Sequence, residues 1–231
     1  TTSVANSVII GRGAAQNGNI TTAANGVVAV GYKAAEALTS GEGSVAIGFE
    51  ALNDVTSGAY NVAVGYQAAD KLTGSSHYNV AVGAHSLGAA NHNDADHNTA
   101  IGNNAGDVIT NGYQNVIIGS GCDPSGAAGY NQTVIGYAVT GQANNSVTLG
   151  NASVTAVYAS QDSGAVVYCS GVNFPDTQAA SGDANTLDDY EEGTFTATLK
   201  GTTNNADPLI TASIGNYTKI GRNVTIGIAF E

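Results

Sequence analysis

Three groups of side chains in this sequence have the types and spacing to do chemistry. His92-Asn93-Asp94-Ala95-Asp96-His97 places two imidazoles and two carboxylates within six residues. Imidazole with carboxylate is a transition-metal donor set, and Asp and Asn oxygens suit Ca²⁺. His92, Asp94, Asp96 and His97 are therefore the candidate metal ligands. The plainer reading is a solvated loop lengthening one unit of a larger pattern, because loops collect such residues. The second group is Asp188-Asp189 with Glu191-Glu192. Glycosidases work with two carboxylates set across a sugar, but strand neighbours point to opposite faces, so a solvated junction is the better account. The third is Cys122 and Cys169, far apart and without metal-ligand spacing. Two buried free thiols are expected there. No G-x-S-x-G elbow or H-E-x-x-H pair occurs, and no Lys-Ser/Thr follows Gly11-Arg12-Gly13 to make a phosphate loop. The expectation is a protein that is not an enzyme and takes no cofactor.

Charge narrows the partners. The 231 residues carry 18 acids and 6 bases, for a net charge of −12. A nucleic-acid binder needs a basic face to neutralise phosphates, and a polybasic membrane-surface protein needs one to meet anionic lipid. Neither is expected. No apolar run reaches the roughly 20 residues that span a bilayer, so no membrane insertion is expected either. From Leu72 to Leu199 there are eleven acids and no Lys or Arg, which makes an acidic shaft. Gly is abundant at 31, and Trp and Met are absent.

The elements that must position all of this are set by a repeat. NSVIIG (Asn6–Gly11), GVVAVG, GSVAIG, YNVAVG twice, HNTAIG, QNVIIG, NQTVIG and NSVTLG (Asn145–Gly150) follow one another. Their closing glycines stand at 11, 31, 48, 65, 83, 102, 119, 136 and 150, giving spacings of 20, 17, 17, 18, 19, 17, 17 and 14. Nine copies at so narrow a period read as a solenoid held by contacts between neighbouring rungs. Each copy alternates with period two, so Val62 and Val64 share one face and Ala63 takes the other. Stacking puts Val62 and Val80 in one column and Val64, Val82, Ile101 and Ile118 in the next. These columns are expected to be the core. The small alternate face (Ala29, Ala46, Ala63, Ala81, Ala100) is expected to pack against a second chain. Gly65, Gly83, Gly102 and Gly119 close their strands and permit tight turns. Tyr32, Phe49, Tyr66 and Tyr137 follow such glycines, while Tyr60, Tyr78, Tyr113 and Tyr130 precede strands. That recurrence fits rung stacking. The segment after each glycine, such as Gln67 to Leu72, fits a second strand or a single helical turn equally well.

These strands, with their glycines, Ala-containing returns and Gly/Asn turns, resemble the head repeats of trimeric autotransporter adhesins and the related repeats of phage tail-fibre proteins. The resemblance covers Asn6 to Gly150. It implies an all-β fold: a left-handed parallel β-roll of about nine rungs, three chains side by side. The chain departs from the shorter adhesin-head unit, which only the Gly136–Gly150 interval matches. Its GYQAADKLTG-type inserts are more similar to the phage versions.

The organisation expected is a repeat domain over 1–150, a neck over 151–186 and a small antiparallel β domain over 187–231. In the neck, Val154 to Tyr158 and Ala165 to Cys169 alternate like strands around Gln161-Asp162-Ser163-Gly164, and a polar connector follows Phe174-Pro175-Asp176. In the last domain a strand runs from Thr194 to Leu199, then a polar loop over Thr202 to Asp207. A hairpin of Asn216–Ile220 and Asn223–Phe230 turns at Gly221-Arg222. LDDYEEGTF and NYTKIG resemble a small β domain near the ends of phage fibre proteins, and the domain is expected to run on past Glu231. The resemblance implies a homotrimeric tail fibre, extracellular on a virion, meeting other virion proteins and a host-surface polysaccharide or protein. The alternative is the head of a bacterial adhesin at the cell surface, and a polysaccharide-degrading tailspike ranks behind both.

Overall fold

The computed structural model describes residues 6–17, 20–21, 23–160, 166, 168–169, 190–197, 213–220 and 223–228. Among these there is no helix. The chain divides into two compact units, Thr1–Val157 and Tyr158–Glu231.

The first unit is a parallel β-solenoid. Its nine short strands are β1 (Val8–Ile10), β2 (Val28–Val30), β3 (Val45–Ile47), β4 (Val62–Val64), β5 (Val80–Val82), β6 (Thr99–Ile101), β7 (Val116–Ile118), β8 (Gln132–Ile135) and β9 (Ser146–Leu149). They lie in sequence order in one sheet. The register is the one the repeat dictates: Val62 pairs with Val80, Ala63 with Ala81, Val64 with Val82. From Gly31 to Gly150 each closing glycine donates its N–H to the previous rung, as Gly65 does to Ile47 O at 2.8 Å and Gly83 to Val64 O at 2.8 Å. Gly65 sits at φ +143° with its missing Cβ directed at the Gly83 carbonyl, so any side chain there would collide with backbone.

The two faces of the sheet are the reverse of the sequence expectation. Ala29, Ala46, Ala63, Ala81 and Ala100 are completely buried, as are Ile117 and Val134 in the same column. The Val and Ile columns face outward: Val62, Val64, Val80, Val82 and Ile118 are half-buried, and Ile101 is exposed. The cause lies in the opposite wall of each coil. Leu38, Leu52, Leu72, Leu87 and Ile109, on the return segments, are fully buried and belong to the same cluster as the alanines. Large side chains on the return fill the space that small ones on the strand leave. Gly106 shows how tight the fit is, since a Cβ there would meet Leu87 and Ile109 at 3.1 Å and the Ala100 Cβ at 3.6 Å.

The returns are neither strands nor helical turns. Their backbone N–H groups ladder from rung to rung: Ala35 to Ala51 O at 2.9 Å, Leu52 to Ala68 O at 3.0 Å, Ala69 to Ser86 O at 2.8 Å. Ala35, Leu52, Ala69 and Leu87 hold φ of 50–51°, a region that costs an L-residue about 1–2 kcal/mol. The inter-rung bonds and leucine burial offset that cost.

A polar column lines the buried corner before the strands. The Asn79 N–H donates to Asn61 Oδ1 at 3.0 Å, Asn98 N–H to Asn79 Oδ1 at 2.9 Å, Asn115 N–H to Asn98 Oδ1 at 3.2 Å and Gln132 N–H to Asn115 Oδ1 at 3.1 Å. Each Asn amide also donates to a turn carbonyl, as Asn98 does to Gly112 O at 2.9 Å.

The second unit contains a three-stranded antiparallel sheet of β10 (Tyr190–Ala197), β11 (Ser213–Ile220) and β12 (Asn223–Ile228). β11 and β12 form the expected hairpin. A side chain at Gly193 would strike the Tyr217 ring and one at Gly215 the Phe195 ring, so each ring lies over the glycine paired with it across the strands. The alternation at Val154 to Tyr158 does not make a strand; those residues are irregular and exposed. The expected strand at Ala165 to Cys169, the polar connector, the Thr202–Asp207 loop and the Gly221-Arg222 turn fall on residues wholly or partly outside the described ones.

Ala63→Phe should force a ring into the closed interior and lower the unfolding free energy by about 3 kcal/mol or more, read from the denaturant midpoint. Asn98→Leu should cost about 2–3 kcal/mol by orphaning Gly112 O and the Asn115 N–H.

Candidate functional site

The feature the fold builds outward is a regular surface. Along β4 the outward side chains run Tyr60, Val62, Val64, Tyr66, with Asn61 and Ala63 buried between them. Parallel in-register pairing repeats that row, so apolar columns run the length of the solenoid. One passes through Val28, Val45, Val62, Val80 and Val116, the other through Val30, Ile47, Val64, Val82, Ile101, Ile118 and Ile135. Thr99 and Thr133 interrupt the first.

Aromatic columns flank this face. Tyr32, Phe49 and Tyr66 stack at 5.0 and 5.1 Å with interplanar angles of 19° and 9°, and His85 closes the column edge-on at 5.3 Å. On the other side Tyr60, Tyr78 and His97 stack at 5.5 and 4.9 Å, and Tyr113 with Tyr130 at 5.2 Å. The spacing is that of the rungs themselves, about 4.8 Å. Tyr32, Tyr60, Tyr66, Tyr78, Tyr113 and Tyr130 thus sit in the stacks expected of them, while Tyr137 is exposed and joins no stack among the described residues.

The four candidate metal ligands are not brought together. His92 Nδ1 lies 3.3 Å from Asp94 Oδ2 on an exposed turn. Asp96 turns away to accept the His77 backbone N–H through Oδ1 at 2.6 Å, and His97 is spent in the stack on Tyr78. Among the described residues no group of three or more His, Cys, Asp or Glu is placed to hold a metal ion. Spacing in sequence suggested a cluster, but the corner geometry sends successive side chains to different partners. His77 does similar work one rung earlier, where Nδ1 accepts the Ala59 N–H at 3.0 Å. Asp188 and Asp189 lie outside the described residues, while Glu191 and Glu192 stand on β10 opposite Lys219 and Thr218. Cys122 is buried as expected, with Sγ 3.2 Å from Gly136 O. Cys169 is exposed, which corrects the expectation of two buried thiols.

Two lysines on the rungs meet carboxylates. Lys33 reaches Glu36 at 3.0 Å, and Lys71 lies 3.4 Å from both Asp54 and Asp70. Burial raises the Asp70 carboxyl above its ordinary value, and Lys71 partly opposes the shift. Burial also raises Asp123, and the neighbouring Asp107 raises it further. Its Oδ1 is buried without a hydrogen-bond partner.

The residues that sequence reasoning passed over are Asn61, Asn79, Asn98, Asn115 and Gln132. Their signal was present: a polar side chain one place before Val62, Val80, Thr99, Val116 and Thr133, in step with the repeat. Comparison with family models, curated proteins and solved structures returns no match to this chain.

The raised carboxyl of Asp123 has a definite sign. The folded chain holds that proton more tightly than the unfolded chain. Its stabilising contribution is full below the ordinary carboxylate value and is lost as pH rises through the raised one. Asp123→Asn keeps an acceptor for the Val108 N–H and should raise the thermal midpoint at pH 7 by about 1–2 °C, an amount scaled down for partial exposure. The difference should vanish near pH 3, as scanning calorimetry at both values would show.

Proposed function

We propose that this chain is a rod-forming segment of a phage tail fibre or related appendage, working as a homotrimer that reaches and attaches to a host surface. The observation that carries the reading is the outward Val/Ile face. Nine strands at about 4.8 Å give a face close to 40 Å long, and four outward columns give a width of about 20 Å, or roughly 800 Å². The largest apolar patch on an ordinary monomer is about 300–600 Å², and one partner of a stable complex contributes about 800 Å². The face is regular along the sheet, with Thr99 and Thr133 the only breaks in its Val and Ile columns from β2 to β8, which suits side-by-side packing of identical chains. The alanine face, expected to make this contact, is consumed inside each coil.

The mechanism is mechanical. Stacked rungs make a stiff spacer, and three copies of any weak terminal contact act together, so avidity replaces single-site affinity. The acidic shaft repels anionic cell surfaces along its length and leaves contact to the tip. The LDDYEEGTF segment, similar to one in phage fibres, favours the fibre over the adhesin head, which would use the same trimer.

Val64→Asp together with Ile118→Asp places two carboxylates per chain on that face. Light scattering should show the three-chain mass of the parent fall to one chain, with the circular dichroism of the solenoid retained. A parent chain that is monomeric at micromolar concentration would overturn the trimer. Antibody against the chain should decorate the distal appendage of virions and block adsorption. Decoration of the producing bacterium alone would indicate the adhesin instead, and release of oligosaccharides from host polysaccharide would indicate a tailspike.

A further inference from the structure

The two flanks of the outward face compensate each other in size, rung by rung. One flanking residue stands two places before the paired strand segment and one two places after it, as Tyr60 and Tyr66 do around Val62–Val64. At β2 the two are Gly26 and Tyr32, at β3 Gly43 and Phe49, and at β5 Tyr78 and Ala84. At β6 they are His97 and Asn103, at β7 Gln114 and Ser120, and at β8 Asn131 and Tyr137. Only β4 carries a ring at both positions. There the stack of Tyr32, Phe49 and Tyr66 meets the start of the stack of Tyr60, Tyr78 and His97 on the other flank. Tyr113 and Tyr130 stand one place further from their strands and stack on each other, while His85, one place beyond Ala84, turns edge-on to Tyr66. Within one chain the two flanks are six residues apart at opposite ends of the outward row, up to roughly 20 Å, so a ring on one cannot fill space left on the other. Tyr137 makes the same point singly. It is 71% exposed, and Ser120 and Asn151, at its position on the rungs either side, bring no ring to cover it.

We propose that the flanks fit each other between chains: the residue before each strand in one copy packs against the residue after the same strand in the next copy. The inference rests on the side-by-side trimer and deepens it by naming the residues that meet, the direction of the chains and their axial register. Rotation about an axis parallel to the solenoid leaves each rung at its own height and sets the leading flank of one chain on the trailing flank of its neighbour. Such unlike contacts close into a ring only without axial slip, so every rung meets its own equivalent. Tyr32 then covers Gly26, Phe49 covers Gly43, and Tyr78 covers Ala84. The lone ring of Tyr137 finds its cover in Asn131. Tyr60 meets Tyr66 as an aromatic pair, the kind of contact that anchors an interface. The rings seal the edges of the Val/Ile face, which turns toward the common axis. An antiparallel pair of chains would set like flank on like flank and lose this match.

Cysteine cross-linking in the full chain tests the pairing, with the exposed Cys169 removed as Cys169→Ser. Tyr78→Cys with Ala84→Cys in one chain, treated with a short bismaleimide, should give a covalent trimer on a denaturing gel. Either substitution alone should stay monomeric, and the two single variants folded together should give dimers. Tyr60→Cys with Asn103→Cys, two rungs out of register, should not cross-link. A size swap reads the same contact without reagent. Ala84→Tyr should raise the concentration at which the trimer dissociates by tenfold or more, and adding Tyr78→Ala should recover most of that loss, whereas rings that serve only their own stack would make the double variant worse. Each variant is checked for the circular dichroism of the solenoid. A single variant that cross-links to itself, or a trimer by light scattering that the Tyr78→Cys, Ala84→Cys chain cannot lock, would overturn the pairing and leave the trimer standing. A monomeric parent would overturn both.

Discussion

Parallel in-register pairing fixes every atom of one rung at the same place in the next, displaced by one strand spacing. Whatever a rung does locally is then done again above and below. A carbonyl that faces along the axis meets an N–H of the next rung, and a ring that leaves the coil sideways meets another wherever the neighbouring rung carries one. An Asn tucked into the corner always finds an Asn, Ser or Gln at the same height. The buried amides answer this constraint well: each side-chain oxygen takes the next backbone N–H while the amide nitrogen takes a turn carbonyl. The corner thereby buries polar atoms and satisfies them. The price of that order is local, in left-handed residues such as Leu52 and Leu87, which only a repeating ladder makes tolerable.

The same constraint distributes volume between the two walls. A coil with only a three-residue strand on one side encloses little space. Leu38, Leu72 and Ile109 fill it from the return, and the strand contributes alanine. β-Branched residues remain on the strands because they suit a pleated surface, and in this coil the surface they suit is the outer one. A charge deficit complements that outer face: it is nearly all Val, Ile, Thr and aromatic, with carboxylates and bases kept to turns and returns.

Much of this was legible in the spacing of a few residues. The glycines at 65, 83 and 102 gave rung length and strand ends, and the pairing of Val62 with Val80 follows from them. Tyr32, Phe49 and Tyr66 recur in step, and they stack. The hairpin of β11 and β12 was visible in its alternation. Which face of the strand turns inward was not legible, because period two names two faces and does not rank them. Ranking them by size chose Val62 over Ala63, but the answer depended on Leu52 and Leu72 across the coil, in a segment too short for periodicity to interpret. The metal reading of His92 to His97, second there to a solvated loop, failed for a related reason. Nearness in sequence does not survive a corner where Asp96 caps one backbone N–H and His97 joins a stack. Val154 to Tyr158 alternates like a strand, yet pairs with no strand among the described residues.

The direction of the inter-rung hydrogen bonds has a mechanical consequence. They run along the long axis, so tension applied end to end reaches them in series, each junction between turns bearing the whole force. Such a column fails at its weakest junction, whatever the strength of the rest, and yields by peeling one turn at a time. Shear or bending spreads over many junctions at once. A lone coil is therefore stiff in flexure and weak in traction. Laying coils abreast is the one arrangement that divides a pull among them.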